Sequence, residues 1–265
     1  MSATEGLEGM RLDQQAPPGS DRAAAAGLDG APLVLRYAAR KLVAHPMLVS
    51  ELRFGCCGLT DEHIPALVGA LSFSQSKLQV LDLVFNHITD KGLAQLCKAV
   101  AAEGGADLTE IFLGGNESTA EGRAELTATL QTACPLLRVE WTPRLHKAEP
   151  LATVGLVYKN SPAKRAGLLQ GDKVMAWGML QTGCNLHNRF GFQPDYGNDP
   201  SDPFLRACKF ENVLQSISPV VRSSISQPID VVVERVTDAG RAEQFMLTLV
   251  PERWSGQGLI GCILK

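Results

Sequence analysis

No apolar run in this 265-residue chain approaches the roughly 20 residues a helix needs to cross a bilayer. The amino terminus also lacks a basic start followed by an apolar core, so the expected setting is the cytoplasm, with the nucleus also open. No tract rich in Lys and Arg is present and the formal net charge is −3, which leaves nucleic acid and anionic membrane surfaces as poor partners. The seven cysteines (Cys56, Cys57, Cys97, Cys134, Cys184, Cys208, Cys262) form an odd set without CxxC spacing, against both a disulfide framework and a structural zinc site. A reducing compartment fits that usage.

Catalytic signatures are scarce too. No GxSxG elbow, P-loop or HExxH occurs, and His63, His87, His146 and His187 stand at no metal-ligand spacing. The expectation is a protein without enzymatic activity, cofactor or metal. What remains is ordinary globular material, 45% hydrophobic and 20% charged. At this length the default is two modest domains, because single cores stop growing near about 250 residues.

Residues 1–30 hold Gly, Ala, Pro, Ser and Asp with few large apolar groups, and are expected to stay flexible. Leu33, Leu35, Tyr37, Ala38, Leu42 and Val43 then describe an amphipathic helix, placed where a repeat array needs a cap. The template LxxLxLxx(N/C)xL follows as Val49, Leu52, Phe54, Cys57, Leu59. It returns as Leu78, Leu81, Leu83, Asn86, Ile88, then as Leu108, Ile111, Leu113, Asn116, and degenerately as Leu136, Val139, Trp141. Steps of 78−49 = 29, 108−78 = 30 and 136−108 = 28 leave room for a strand and a helix in each copy. Helical spacing is visible at 61–72, 90–102 and 120–133, with Asp61 and Asp90 where helix-start donors want a carboxylate.

The phrase LDLVFNHITDKGLAQL resembles the long, ribonuclease-inhibitor type of leucine-rich repeat, over residues 48–142. Cys57, Asn86 and Asn116 fall at the position whose side chain satisfies backbone groups where the strand turns away. Between the buried leucines, Glu51, Arg53, Val80, Asp82, Val84, Glu110, Phe112, Arg138 and Glu140 line the concave face. An exposed Phe112 among charges would anchor a partner, although single exposed apolar residues are also ordinary.

Pro143 to Pro150 read as a linker. LATVGLVY at 151–158 reads as a strand, and NSPAKRAGLLQGDKVMAWG follows, with Ser161–Pro162 opening a short helix and Gly171–Asp172 turning into the strand 173–177. Residues 181–206, rich in Gly, Pro, Asn and Asp, look like an insertion. Phe210, Val213, Leu214, Ile217 and Val221 then mark a helix face, and strands at 229–235 and 244–249 flank a Thr-Asp-Ala-Gly-Arg turn.

SPAxxAGLxxGD resembles the PDZ family. The ending LTLVPERWSGQGLIGCILK resembles that of the family of the proteasome regulatory particle's ninth non-ATPase subunit, base-assembly chaperones; Pro251, Arg253, Trp254, Gly256, Gly258, Leu259, Gly261 and Cys262 carry the likeness. That family has a helical region where this chain has repeats. The fold expected is a short α/β leucine-rich-repeat solenoid at 31–142, a linker at 143–150, and a β-rich α+β PDZ-like domain at 151–265 with an insertion at about 181–206.

A PDZ groove takes an extended tail as an added strand and gathers its carboxylate on backbone N–H groups. By position, Leu151 and Ala152 would belong to the carboxylate loop, Thr153, Val154, Gly155 and Leu156 to the pairing edge, and Phe210, Val213, Leu214 and Ile217 to the pocket. Each is equally explained as core. Trp254 is expected to plug the end of that core. The function implied is an adaptor or chaperone capturing protein C-terminal tails, with a proteasomal ATPase subunit as the partner the resemblance suggests. A leucine-rich-repeat/PDZ signalling scaffold is the alternative.

Overall fold

The computed structural model describes residues 50–71, 77–102, 107–146, 148–181 and 213–265. Residues 1–30, the cap helix expected at 32–45, Phe210 and residues 182–206 of the insertion lie outside these, as do the side chains of Val213 and Leu214.

Four short strands, β1 (Glu51–Arg53), β2 (Val80–Asp82), β3 (Glu110–Phe112) and β4 (Arg138–Glu140), form one parallel sheet in chain order. Register partners Glu51, Val80, Glu110 and Arg138 lie 80−51 = 29, 110−80 = 30 and 138−110 = 28 residues apart, the steps of the sequence repeat. The chain returns through α1 (Ile64–Leu71, entered by a 3-10 turn at Asp61–His63), α2 (Asp90–Ala102) and α3 (Ala120–Ala133). Leu52, Leu81, Leu83, Ile111 and Leu113 point from the strands into a core closed by Leu67, Leu96 and Leu130 from the helices. Each such side chain contributes about 2 kcal/mol through area removed from water.

Two polar ladders tie one repeat to the next. Asn86 Oδ1 accepts from Cys57 N–H and Leu59 N–H, both at 3.0 Å, while its Nδ2 donates to Phe54 O and Leu83 O at 2.9 Å. Asn116 repeats the pattern one turn on, donating to Leu83 O and Leu113 O. The second ladder differs from expectation. Asp61 and Asp90 do stand at helix starts, but each carboxylate accepts from the backbone N–H and hydroxyl of a threonine in the next repeat, Thr89 and Thr119 respectively. Gly92 and Gly122 permit this, since a Cβ at either would run into that carboxylate.

The second sheet has the order β10-β5-β6-β8-β9, with β7 on β6, all antiparallel. Its strands are β5 (Ala152–Val157), β6 (Lys173–Trp177), β7 (Leu180–Gln181), β8 (Ile229–Val236), β9 (Ala242–Leu249) and β10 (Cys262–Leu264). Among the described residues two helices join them, α4 (Pro162–Arg165), capped by the Ser161 side chain accepting from Lys164 N–H, and α5 (Val213–Ser223). Gly171, at φ 91°, makes the turn into β6 that a side chain would disfavour. Beside it the buried carboxylate of Asp172 takes both Nε and Nη2 of Arg235 at 2.7 Å, so the turn is tied to β8.

Val174, Trp177, Val231, Val233 and Leu249 fill this sheet's own core. The opposite face is covered as well. Met175, Ala176 and Val232 pack with Cys56, Val84, Phe85, Phe112 and Leu145 in a second buried cluster, so the repeats' concave strand face lies on the back of the sheet. Phe112 is therefore 7% exposed and Val84 wholly buried, against the exposed face expected from the repeat pattern. Asp82 is buried too, 3.7 Å from Arg53, which also pairs with Glu51. Of the nine concave residues named from the sequence, Asp82, Val84 and Phe112 are buried, while Glu51, Arg53, Val80, Glu110 and Glu140 keep partial exposure and Arg138 is exposed. Pro143 to Pro150 includes ordered contacts as well: Leu145 N–H donates to Gln244 Oε1 at 2.8 Å, and the His146 ring lies 3.8 Å from that of Phe112.

Candidate functional site

The edge expected to receive a partner strand is already in use. Leu151 N–H donates to Val174 O, Thr153 pairs with Lys173 of β6, and the other side of β5 carries β10. Thr153 and Lys265 exchange both backbone bonds, at 2.8 and 2.9 Å. Leu151, Ala152 and Val154 are buried, Gly155 lies under the Lys265 side chain, and Leu156 is exposed on the face rather than at the edge. Neither the N–H of Leu151 nor the β5 edge is open to a tail, because β5 is an interior strand.

Among the described residues this sheet ends at β10 on one side and at β9 on the other, and β10 is the edge next to β5. Its register puts Ile263 opposite Leu156 and Cys262 opposite Val157, with Tyr158 N–H donating to Gly261 O. In an antiparallel pair, bonded residues alternate with unbonded ones. The carbonyl of Gly261 and the amides of Ile263 and Lys265 thus turn toward β5, and the amides of Cys262 and Leu264 turn outward.

Ahead of this edge runs a loop, from Val250 to Gly261, held at three points. Glu252 N–H donates to Leu259 O, Ala163 N–H to Ile260 O, and Ser226 N–H, just past α5, to Pro251 O at 2.8 Å. An ion pair between Arg165 and Glu252 adds to these. Gly258 and Gly261 adopt φ of 76° and 66°, the left-handed region that favours glycine, so the chain turns sharply at both. Among the described residues, no hydrogen bond is donated by the N–H of Gly258, Leu259, Ile260 or Gly261. Loop amides left open in this way can receive anionic oxygen atoms.

Ile217 and Val221 of α5 are buried in the core that Leu259, Ile260, Cys262 and Leu264 pack against, while nothing is described of Phe210 or of the Val213 and Leu214 side chains. Burial pushes the Cys262 thiol up to about 11, so it stays protonated at neutral pH. Trp254, expected as a core plug, instead packs inside the loop against Gly256 and Gly261, with its ring 6.0 Å from Tyr158.

Gly258 to Leu264 were thus missed as site residues. Their signal was Gly256, Gly258 and Gly261 at GxGxxG spacing. Here that spacing precedes a strand rather than a helix, so it lacks the helix terminus of a dinucleotide site. Among the described residues no group of three or more His, Cys, Asp or Glu could hold a metal, and no helix is long and apolar enough to cross a membrane.

A family model described as leucine rich repeat matches residues 74–97. The 26S proteasome non-ATPase regulatory subunit 9 of Drosophila melanogaster is 31% identical over 118 residues, covering 44% of this chain and 40% of that protein. The Rattus norvegicus subunit is 31% identical over 121 residues (46% and 40%), and the Homo sapiens one 32% over 111 residues (42% and 36%). The chain spans about two fifths of the length of these relatives. Among solved structures, Leiomodin-1 actin-binding site 2 aligns at a TM-score of 0.31 and 16% identity over 43% of this chain and 83% of that one, too loosely to argue from. The chain is similar, in part, to proteasome non-ATPase regulatory subunit 9 and contains a leucine-rich-repeat match.

Proposed function

We propose that the chain is a non-enzymatic adaptor that captures the C-terminal tail of another protein along the open edge of β10, in the manner of a PDZ domain. The observation that carries this reading is the loop Gly258–Gly261, with undonated amides, leading into a strand with a free edge. The tail's carboxylate would sit on the loop. Its backbone would pair with Cys262 and Leu264, and its last side chain would lie toward α5, near Ile217. The repeats form a solenoid that braces the back of the sheet.

Partial similarity to proteasome subunit 9 supports a role in assembling the proteasome regulatory particle, with a proteasomal subunit tail as the partner. Cytoplasm or nucleus is the matching location. The test is a pull-down with tagged full-length wild type against Leu264→Pro, which removes one outward N–H and leaves the inward bonds of Ile263 and Lys265. Proteasomal subunits retained by the wild type and lost with the variant support the reading. Unrelated proteins lost in the same way would keep the groove and remove the proteasome link, and an unchanged set would sink the β10 site.

A further inference from the structure

The β10 edge has two sides, and the outer one is apolar where solvent would favour polar residues. Ile263 and Leu156, direct cross-strand partners, are 42% and 41% exposed, while Val154, Cys262 and Leu264 turn to the core. Tyr158, at the end of the same strand, is 45% exposed with Trp254 beside it. The methylene stem of Lys265 lies across Gly155 on this face. Three of the eight exposed large apolar residues among those described therefore gather within one small patch, beside the one strand edge with an unused loop in front of it. Scattered exposed residues are ordinary, whereas a cluster of this kind marks contact.

Resting on the capture reading above, we propose that this patch reads the penultimate residue of the captured tail, and that this residue is a large apolar one. The argument is the period of a strand. A chain added antiparallel to β10 with its carboxylate at Gly258–Gly261 sets its last residue opposite Cys262, its penultimate residue opposite Ile263 and the third from last opposite Leu264. Opposed residues of an antiparallel pair share a face. The last and third side chains thus go inward toward α5, and the penultimate one goes outward onto Ile263, with Leu156 behind it. That position is an unbonded pair, where side chains approach most closely. The site consequently recognises a tail whose final residues are apolar on both faces.

The experiment is fluorescence titration of the full-length chain with dye-labelled decapeptides carrying free carboxylates and varied through all residue types at the last two positions. Wild type should prefer Leu, Ile or Phe over Ser at the penultimate position by about fivefold, the ratio for covering part of one side chain. Ile263→Ser should reduce that preference to less than about twofold while keeping the preference at the last position. Equal affinity for apolar and polar penultimate residues, with binding still abolished by amidation, would overturn this inference and leave the capture site standing. Loss of all peptide binding at the edge, for every sequence in the series, would remove both.

Discussion

Asp230 Oδ2, on β8, lies 2.8 Å from Nε2 of His87, whose Nδ1 lies 2.8 Å from Glu117 Oε1 in the next repeat. One imidazole thus joins two repeats to the second sheet. Burial lowers its affinity for a proton, but hydrogen bonds and charge from Asp230 and Glu117 outweigh that and raise its pKa above the ordinary 6.5. A raised folded value means that the contribution is complete below the unfolded pKa and is lost as pH climbs through the folded one. Urea unfolding at about pH 5.5 and about pH 8.5 should show wild type losing about 1 kcal/mol more than His87→Asn across that window. Identical pH slopes would contradict the clamp.

Asn86→Ala should cost about 3 kcal/mol, because buried amides at Cys57 and Leu59 and carbonyls at Phe54 and Leu83 lose their partner without access to water. Asn116, half-buried at the outer copy, should cost less. Denaturant midpoints of the two variants check the order.

Asp172→Ala leaves Arg235 without its bidentate partner and frees the Gly171 turn, with an expected loss of about 3 kcal/mol. The matching Arg235→Met change should be the harsher if the stranded charge dominates, because it leaves the buried Asp172 carboxylate unpaired while Arg235 is 29% exposed, which thermal unfolding would show.

Phe112→Ala removes one of the two phenylalanines that the repeats give to the shared cluster, at a cost of about 3 kcal/mol. Because the loss falls between the units, calorimetry should resolve two transitions where wild type shows one. A single transition lowered in temperature would mean that the units remain coupled through the His87 and Gln244 contacts.

The repeats were legible because their instructions are local. A large apolar residue at every other position through the strand and a cysteine or asparagine at the turn recur with period 28 to 30, and each copy packs on its neighbour. Helices at 90–102 and 120–133 and the strand at 173–177 could be read from spacing alone. The pairing of β10 with β5 could not, since it joins segments about a hundred residues apart with only three residues of strand to signal it. Without that pairing β5 looked like an open edge, whereas it lies between β10 and β6. The covering of the concave face was similarly hidden, because docking has no period. Its trace was compositional: Val231–Val233 and Val174–Trp177 are continuous apolar runs, the pattern of strands buried on both faces.

Phe112, Phe85 and Val84 on one side, and Met175 and Val232 on the other, make the connection at 143–150 a tether rather than the bond that keeps the halves together. A chain nicked there should behave as a complemented split protein, with two fragments that co-elute and melt together. Each fragment alone would present an apolar surface to water. A pull on the β10 edge would therefore be carried through the sheet to the shared buried cluster and into the repeats.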